Sequence, residues 1–273
     1  METTRQVDQD DALEDFEARA VTLLDTARTV YVAGSGPAVI VMHEMPGISP
    51  QVARFARWVR DAGFTVWMPS LFGRDGAVPL ADEGAAVFQR VCISREFRVM
   101  AGKGTSPVVD WLRALAAQAH ADCGGPGVGA VGMCLTGNFA LSMMIEPALR
   151  APILCQPSLP LDAPGEIDMT EPEAAAVSTR MAQDGLTAQL YRFEGDPFCR
   201  AERLARYVER FGDLIEARSL PDTAAGTQTS PFFAAHVPGP HSVVTQHLID
   251  AEGALTRQAV TDMIAFLRQR LTP

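Results

Sequence analysis

The sequence has no CxxC pair, no apolar run approaching the roughly 18 residues of a bilayer-spanning helix, and fewer basic than acidic side chains. Each shortage excludes something. The five cysteines (Cys92, Cys123, Cys134, Cys155 and Cys199) are odd in number and scattered, which argues against a disulfide framework and against a zinc site. With 23 basic and 33 acidic residues, the formal charge of −10 speaks against nucleic acid and against an anionic membrane surface as partners. The first twenty residues, METTRQVDQDDALEDFEARA, lack the cationic start and apolar centre of a secretory signal. A reduced, cytoplasmic, enzyme-sized protein is the expectation, with residues 1–15 a flexible or loosely packed N-terminus.

What is present is enough apolar chain for one large core, since 47% of the 273 residues are hydrophobic. No repeat or low-complexity linker divides it. Residues from about Phe16 to Val32 read as a hairpin that ends at the turn-rich AGSGPA. AVIVMHE (38–44), FTVWMPS (64–70), GVGAVGM (127–133), APILCQPS (151–158) and LTAQLYRFEGD (186–196) read as strands, several of them continuous apolar runs of the buried, parallel kind. Between them lie helical patterns. Ser49 and Pro50 suit an N-cap and first turn before the stripe Val52, Phe55, Ala56, Val59. Further helices are expected over 105–119 and from Leu135 to Leu149. Others are expected on the stripe Leu204, Tyr207, Val208, Phe211 and on the stripe Val260, Met263, Ile264, Leu267, Leu271. Strand–helix alternation predicts a single α/β domain, a mostly parallel sheet with helices on both faces. Two segments, 161–185 and 221–240, are too long for simple connections and are candidates to border a site.

Four positions carry chemistry. Cys134 in GMCLTG falls at a strand-to-helix seam with Gly132 two residues before it, the pattern of a nucleophile held on a sharp turn; a packed core thiol is the blander alternative. A following helix would aim its N-terminal N–H groups at the same spot. Asp196 in EGDPF lies just past a strand, where carboxylates reach the crevice of an open sheet, although an Asp there also forms turns. His241 in PGPHSV follows a Pro-Gly loop. Nucleophile, acid, histidine is the chain order of a hydrolase triad, with His236 and then His247 as the other candidate bases and His120 without matching context. Glu44 ends the first long apolar strand, at the turn that supplies an oxyanion-hole N–H in such folds; by position the donors are the backbone amides of Met45 and Leu135.

HEMPGI, GMCLTG, EGDPF and PHSV, in that order, resemble the dienelactone hydrolase family (carboxymethylenebutenolidase-like enzymes of the α/β-hydrolase superfamily) over roughly residues 16–271. The resemblance implies Cys134 as nucleophile, Asp196 as acid, His241 as base, and Glu44 as the carboxylate that helps release the thiol proton. It also implies hydrolysis of a small ester or lactone through a thioester, with no metal or organic cofactor. Arg95 in CISREF is a match for one carboxylate-binding arginine of the family. The other, four residues after the histidine, is Thr245 here, and the family's second glycine after the nucleophile is Thr136. Threonine cannot form the bidentate pair by which arginine holds a carboxylate, so the residues point to ester or lactone chemistry more firmly than to dienelactone itself. The rival readings are a catalytically silent binding protein on the same fold and a redox-sensing thiol protein with Cys123 or Cys155 as resolving partner. Acyl transfer to an acceptor other than water is a further possibility that these residues do not separate from hydrolysis.

Overall fold

Alternation of buried side chains along the strands sorts the core into two layers. In the computed structural model, which describes residues 6–93 and 106–272, Ile40 and Met42 of β3 (Ala38–Met42) pack on one face of the sheet. Val39 and Val41 pack on the other. This is the period-two pleat acting on a strand that is buried on both sides. The sheet has eight strands in the order β1-β2-β4-β3-β5-β6-β7-β8. β1 (Glu17–Leu23) and β2 (Thr26–Gly34) form the expected antiparallel hairpin, and β2 pairs antiparallel with β4 (Thr65–Pro69). The remaining pairings are parallel and involve β5 (Val128–Met133), β6 (Leu149–Cys155), β7 (Ala188–Phe193) and β8 (Ile215–Leu220).

Helices cover both faces. α1 (Pro50–Asp61) starts as the sequence predicts: Ser49 Oγ accepts the Val52 N–H at 3.3 Å, and Pro50 occupies the first turn, where its missing N–H costs nothing. α1 and α8 (Leu255–Leu271) share one core layer. α3 (Pro107–Cys123), α5 (Glu171–Asp184) and α6 (Ala201–Phe211) share the other, with α2 (Ala81–Ile93) packed at its edge. The strand order reverses around β3, so the crevice at the carboxyl ends of β3 and β5 lies where ligands bind in open α/β sheets.

Several expectations change. The helix from Leu135 to Leu149 is a broken path: a 3₁₀ turn at Cys134–Thr136, four residues of α4 (Phe139–Ser142) and a second 3₁₀ turn at Met143–Ile145. Pro147 cannot donate into a continuing helix, and β6 begins two residues later. A helix this short contributes little macrodipole, so stabilisation of a charge at Cys134 falls to individual donors. Val208 is exposed and not part of the buried stripe of α6. β8, α2 and α7 (Pro231–His236) are additional elements. Segment 161–185 is a crossover containing α5, and segment 221–240 contains α7. Residues 11–15 are held against α1. Arg57 makes ion pairs with Asp11 at 2.6 Å and Asp15 at 2.8 Å, Arg60 reaches Asp15 at 2.6 Å, and Leu13 is buried.

Candidate active site

Cys134 has φ of +54°, a left-handed conformation that costs a non-glycine residue about 1–3 kcal/mol and persists only when the surroundings impose it. The surroundings can be named. A Cβ on Gly132 would stand 2.2 Å from the Thr136 carbonyl oxygen, so only glycine lets strand and turn approach this closely. The Cys134 carbonyl accepts N–H groups from Gly137 at 2.9 Å and Ser158 at 3.0 Å. The Thr136 hydroxyl accepts the Met133 N–H at 2.9 Å and lies within 3.2 Å of the Met42 and His43 carbonyls. The threonine that replaces the family's glycine therefore ties the β5 turn to the end of β3. Met45 and Leu135, whose amides are the expected oxyanion donors, are carried by these two tied turns and are both buried.

His241 faces Cys134 from the loop after α7. Its Nδ1 lies 2.8 Å and 3.0 Å from the two carboxylate oxygens of Asp196. A carboxylate only accepts, so Nδ1 carries the proton and Nε2 is left to face the sulfur side. Burial works against charge on this imidazole. The Asp196 carboxylate and the Cys134 sulfur outweigh it and hold the His241 pKa well above its ordinary value. Asp196 is itself fixed by the Phe198 and Cys199 amides, each donating to Oδ1 at 2.8 Å. Arg192 braces the same loop from below through the Cys199 and Glu194 carbonyls at 2.6 and 2.7 Å.

Glu44 is buried at the end of β3, and its carboxylate accepts from Ser242 Oγ at 2.6 Å, from Thr245 Oγ1 and from Gln156 Nε2 at 3.4 Å. Burial raises its pKa, and the Ser242 and Thr245 hydroxyls pull it partly back. Gln156 also accepts the Val243 N–H at 3.3 Å, so Glu44 and Gln156 together clasp the histidine loop. Among the described residues the hydrogen-bond partners of the Glu44 carboxylate all belong to this clasp. Two other histidines serve as neutral struts. His43 donates from Nδ1 to the Glu44 carbonyl and accepts the Leu71 N–H on Nε2; burial lowers its pKa to about 4. His247 accepts the N–H groups of His241 and Ser242 on Nδ1 at 3.3 and 3.1 Å, and burial lowers it to about 4 as well.

His236 lies in α7 at the mouth of the cleft, against Phe232 at 5.2 Å between ring centres, away from Asp196's hydrogen bonds. His120 is remote, bonded to the Gly125 carbonyl. Arg95 lies outside the described residues. Cys155 packs on the opposite face of the sheet, 4.0 Å from Met263 Sδ, and Cys123 ends α3 at the far end of β5. The Cys155 backbone pairs with Met133, next to Cys134, but its side chain belongs to the other core layer.

Sequence reasoning missed three contributors. Ser158, three residues past β6, donates to Cys134 Sγ at 3.2 Å. Fully buried Arg203 holds the loop that carries it, through the Pro157 and Pro160 carbonyls at 2.9 and 2.6 Å. An aromatic wall, Phe88, Phe198, Phe232 and Phe233, lines a cleft of about 370 Å³ that opens onto Cys134 and His241. Ser158 obeys the same strand-end rule that singled out Asp196; the others carry no local signal. Among the described residues no group of His, Cys, Asp and Glu is arranged to hold a metal, and no helix is long and apolar enough to cross a membrane.

A positive-φ residue at the end of a central parallel strand, facing a loop histidine paired with an Asp just past the end of β7, defines an α/β-hydrolase. Within that class, the model of the dienelactone hydrolase family matches residues 26–206, and the chain belongs to that family. Similar solved structures include a dienelactone hydrolase-like promiscuous phosphotriesterase from metagenomic libraries (19% identity, TM-score 0.61, 94% of this chain and 99% of that one). A dienelactone hydrolase from Anabaena variabilis is 14% identical with a TM-score of 0.60 over 94% and 98% of the two chains. An esterase from Pyrococcus furiosus is 13% identical with a TM-score of 0.53 over 93% and 92%. At these identities the likeness is one of fold. No curated protein matches the sequence.

Proposed function

We propose that the protein hydrolyses small, uncharged, apolar esters or lactones with Cys134 as nucleophile, His241 as base and Asp196 as the group that orients the base. The observation that carries this reading is the strained turn that presents Cys134 to an Asp-oriented imidazole at the floor of one cleft. His241 Nε2 takes the thiol proton and the sulfur attacks the carbonyl carbon. The oxyanion is received by the Leu135 and Met45 amides, a type of donor worth about 3 kcal/mol when removed. Collapse expels the alkoxide, which takes the proton from His241 and leaves a thioester. Water, deprotonated by His241, then attacks the thioester and releases the acid.

The cleft supports an uncharged substrate. Its described lining is aromatic and aliphatic apart from Gln89, His236, Ser158 and the reacting pair, and includes no arginine or lysine. Thr245, at the position of the family's second arginine, is buried and committed to Glu44. A carboxylate entering this lining would shed water without gaining a cation. The test is a pair of aryl esters of equal length, one neutral and one ending in a carboxylate. We expect kcat/KM at least about tenfold higher for the neutral ester, consistent with the cost of desolvating a charge, and loss of both activities in Cys134→Ala. Turnover surviving in Cys134→Ala would overturn the nucleophile. Preference for the acidic ester would overturn the uncharged substrate and bring Arg95 forward as the cation that binds it.

A further inference from the structure

Ser158 stands in a position that the triad alone does not require. Its side chain is buried, and Oγ lies 3.2 Å from Cys134 Sγ, 3.5 Å from His241 Nε2 and 3.2 Å from the Gln156 carbonyl oxygen. A serine kept for packing needs one acceptor, and the Gln156 carbonyl supplies it. This hydroxyl has a second acceptor, the reacting sulfur, at the same distance. Its backbone is fastened independently of the side chain. The Ser158 N–H donates to the Cys134 carbonyl at 3.0 Å, and Arg203 grips the carbonyls of the residues on either side of the Ser158–Leu159 pair, Pro157 and Pro160. The loop is thus built to hold this one hydroxyl against the sulfur.

We infer that Ser158 is a further catalytic residue: its hydroxyl donates to Cys134 Sγ when the thiol proton has passed to His241 Nε2, and turns to the Gln156 carbonyl when the sulfur bonds carbon. This rests on the cysteine-hydrolase reading. In the first step the S–H bond breaks and an N–H bond forms on His241. The Ser158 O–H bond stays intact and changes only the acceptor it points at. A thiolate is a far better acceptor than a thioester sulfur, so the hydroxyl favours the charged state and lets go of the acylated one. The short helix after Cys134 makes such a donor necessary, because the macrodipole of four residues of α4 offers little to a thiolate. Glu44, held by its own clasp, does not take this role. The sulfur is balanced between an imidazolium on one side and a hydroxyl on the other.

The experiment follows alkylation of Cys134 by iodoacetamide across pH 5 to 10 in wild type, Ser158→Ala and Ser158→Thr, quantified on the peptide that carries Cys134. Loss of one hydrogen bond to a charged group moves a titration midpoint by about one unit. The midpoint of Ser158→Ala is therefore expected higher than that of wild type, with alkylation near pH 7 about tenfold slower, while Ser158→Thr, which keeps the hydroxyl, follows wild type. A Ser158→Ala profile that superimposes on wild type would overturn the proposal, as would a Ser158→Thr profile displaced as far as the alanine variant. Since alkylation needs no ester turnover, this outcome is independent of the hydrolase reading. That reading fails on its own if none of the three proteins releases product from a neutral aryl ester.

Discussion

His241→Ala is expected to lower kcat/KM for a neutral aryl ester by about 10²–10⁴-fold, the usual contribution of a positioned general base, while His236→Ala is expected to change it only a few-fold. The contrast follows from the surroundings of the two imidazoles. His241 is buried, has Nδ1 against both oxygens of Asp196, and presents Nε2 to the side where Cys134 and Ser158 lie. His236 leans on Phe232 at the mouth of the cleft and can affect entry or product release, not the proton on sulfur. Parallel kinetics of the two variants with one substrate decide the matter. Loss confined to His236→Ala would move the base to the other side of the cleft, and equal modest losses would remove general-base catalysis from the account.

The second large effect is expected at Gly132, a residue that touches no substrate. A methyl group there would meet the Thr136 carbonyl oxygen at 2.2 Å and the Thr136 carbonyl carbon at 2.9 Å, both backbone atoms that cannot rotate away. Gly132→Ala must therefore push the turn off the strand. The expected loss of stability is about 1–3 kcal/mol, typical of overpacking, read from urea unfolding. The expected loss of rate is larger, about 100-fold, since displacing a nucleophile by some 1 Å is enough to misalign attack. The hydroxyl of Thr136, which bridges to the Met42 and His43 carbonyls, would carry the shift to the turn that holds Met45. Wild-type kinetics in a folded Gly132→Ala variant would show that the turn does not depend on this close approach.

The parts of the fold legible in the sequence were those set by local chemistry. Buried parallel strands read as unbroken apolar runs, and α1 announced itself through Ser49, Pro50 and a spaced stripe. β8 was missed because an edge strand reading IEARSL shows polar side chains to solvent and looks like a loop. The helix after Cys134 was overdrawn because its apolar residues suit a helix, while Gly137, where a Cβ would stand 2.7 Å from Pro157 Cα, lets the chain follow a tighter path. At the site, the order of the motifs picked out Cys134, Asp196, His241 and Glu44, which the fold brings to the carboxyl-end side of the sheet, three of them just past β5, β7 and β3 and His241 on the loop after α7. The network among them was not legible. Gln156 and Glu44 are 112 residues apart, Thr245 and Glu44 201 apart, and no local pattern encodes a hydrogen bond across such distances. Glu44 shows this most clearly: its residue type and place were readable, but the Ser242 and Thr245 hydroxyls that occupy its carboxylate were not.

The most direct test of the central claim is to look for the acyl group itself. Wild-type protein is mixed with excess neutral aryl ester, quenched in acid within the first turnovers, and its mass measured before and after hydroxylamine, with digestion to locate the adduct. The account predicts a mass increase equal to the acyl group, carried by the peptide containing Cys134, removed by hydroxylamine and missing from Cys134→Ala. An adduct on any other residue, or steady hydrolysis by Cys134→Ala with an adduct formed elsewhere, would contradict a covalent mechanism at this cysteine.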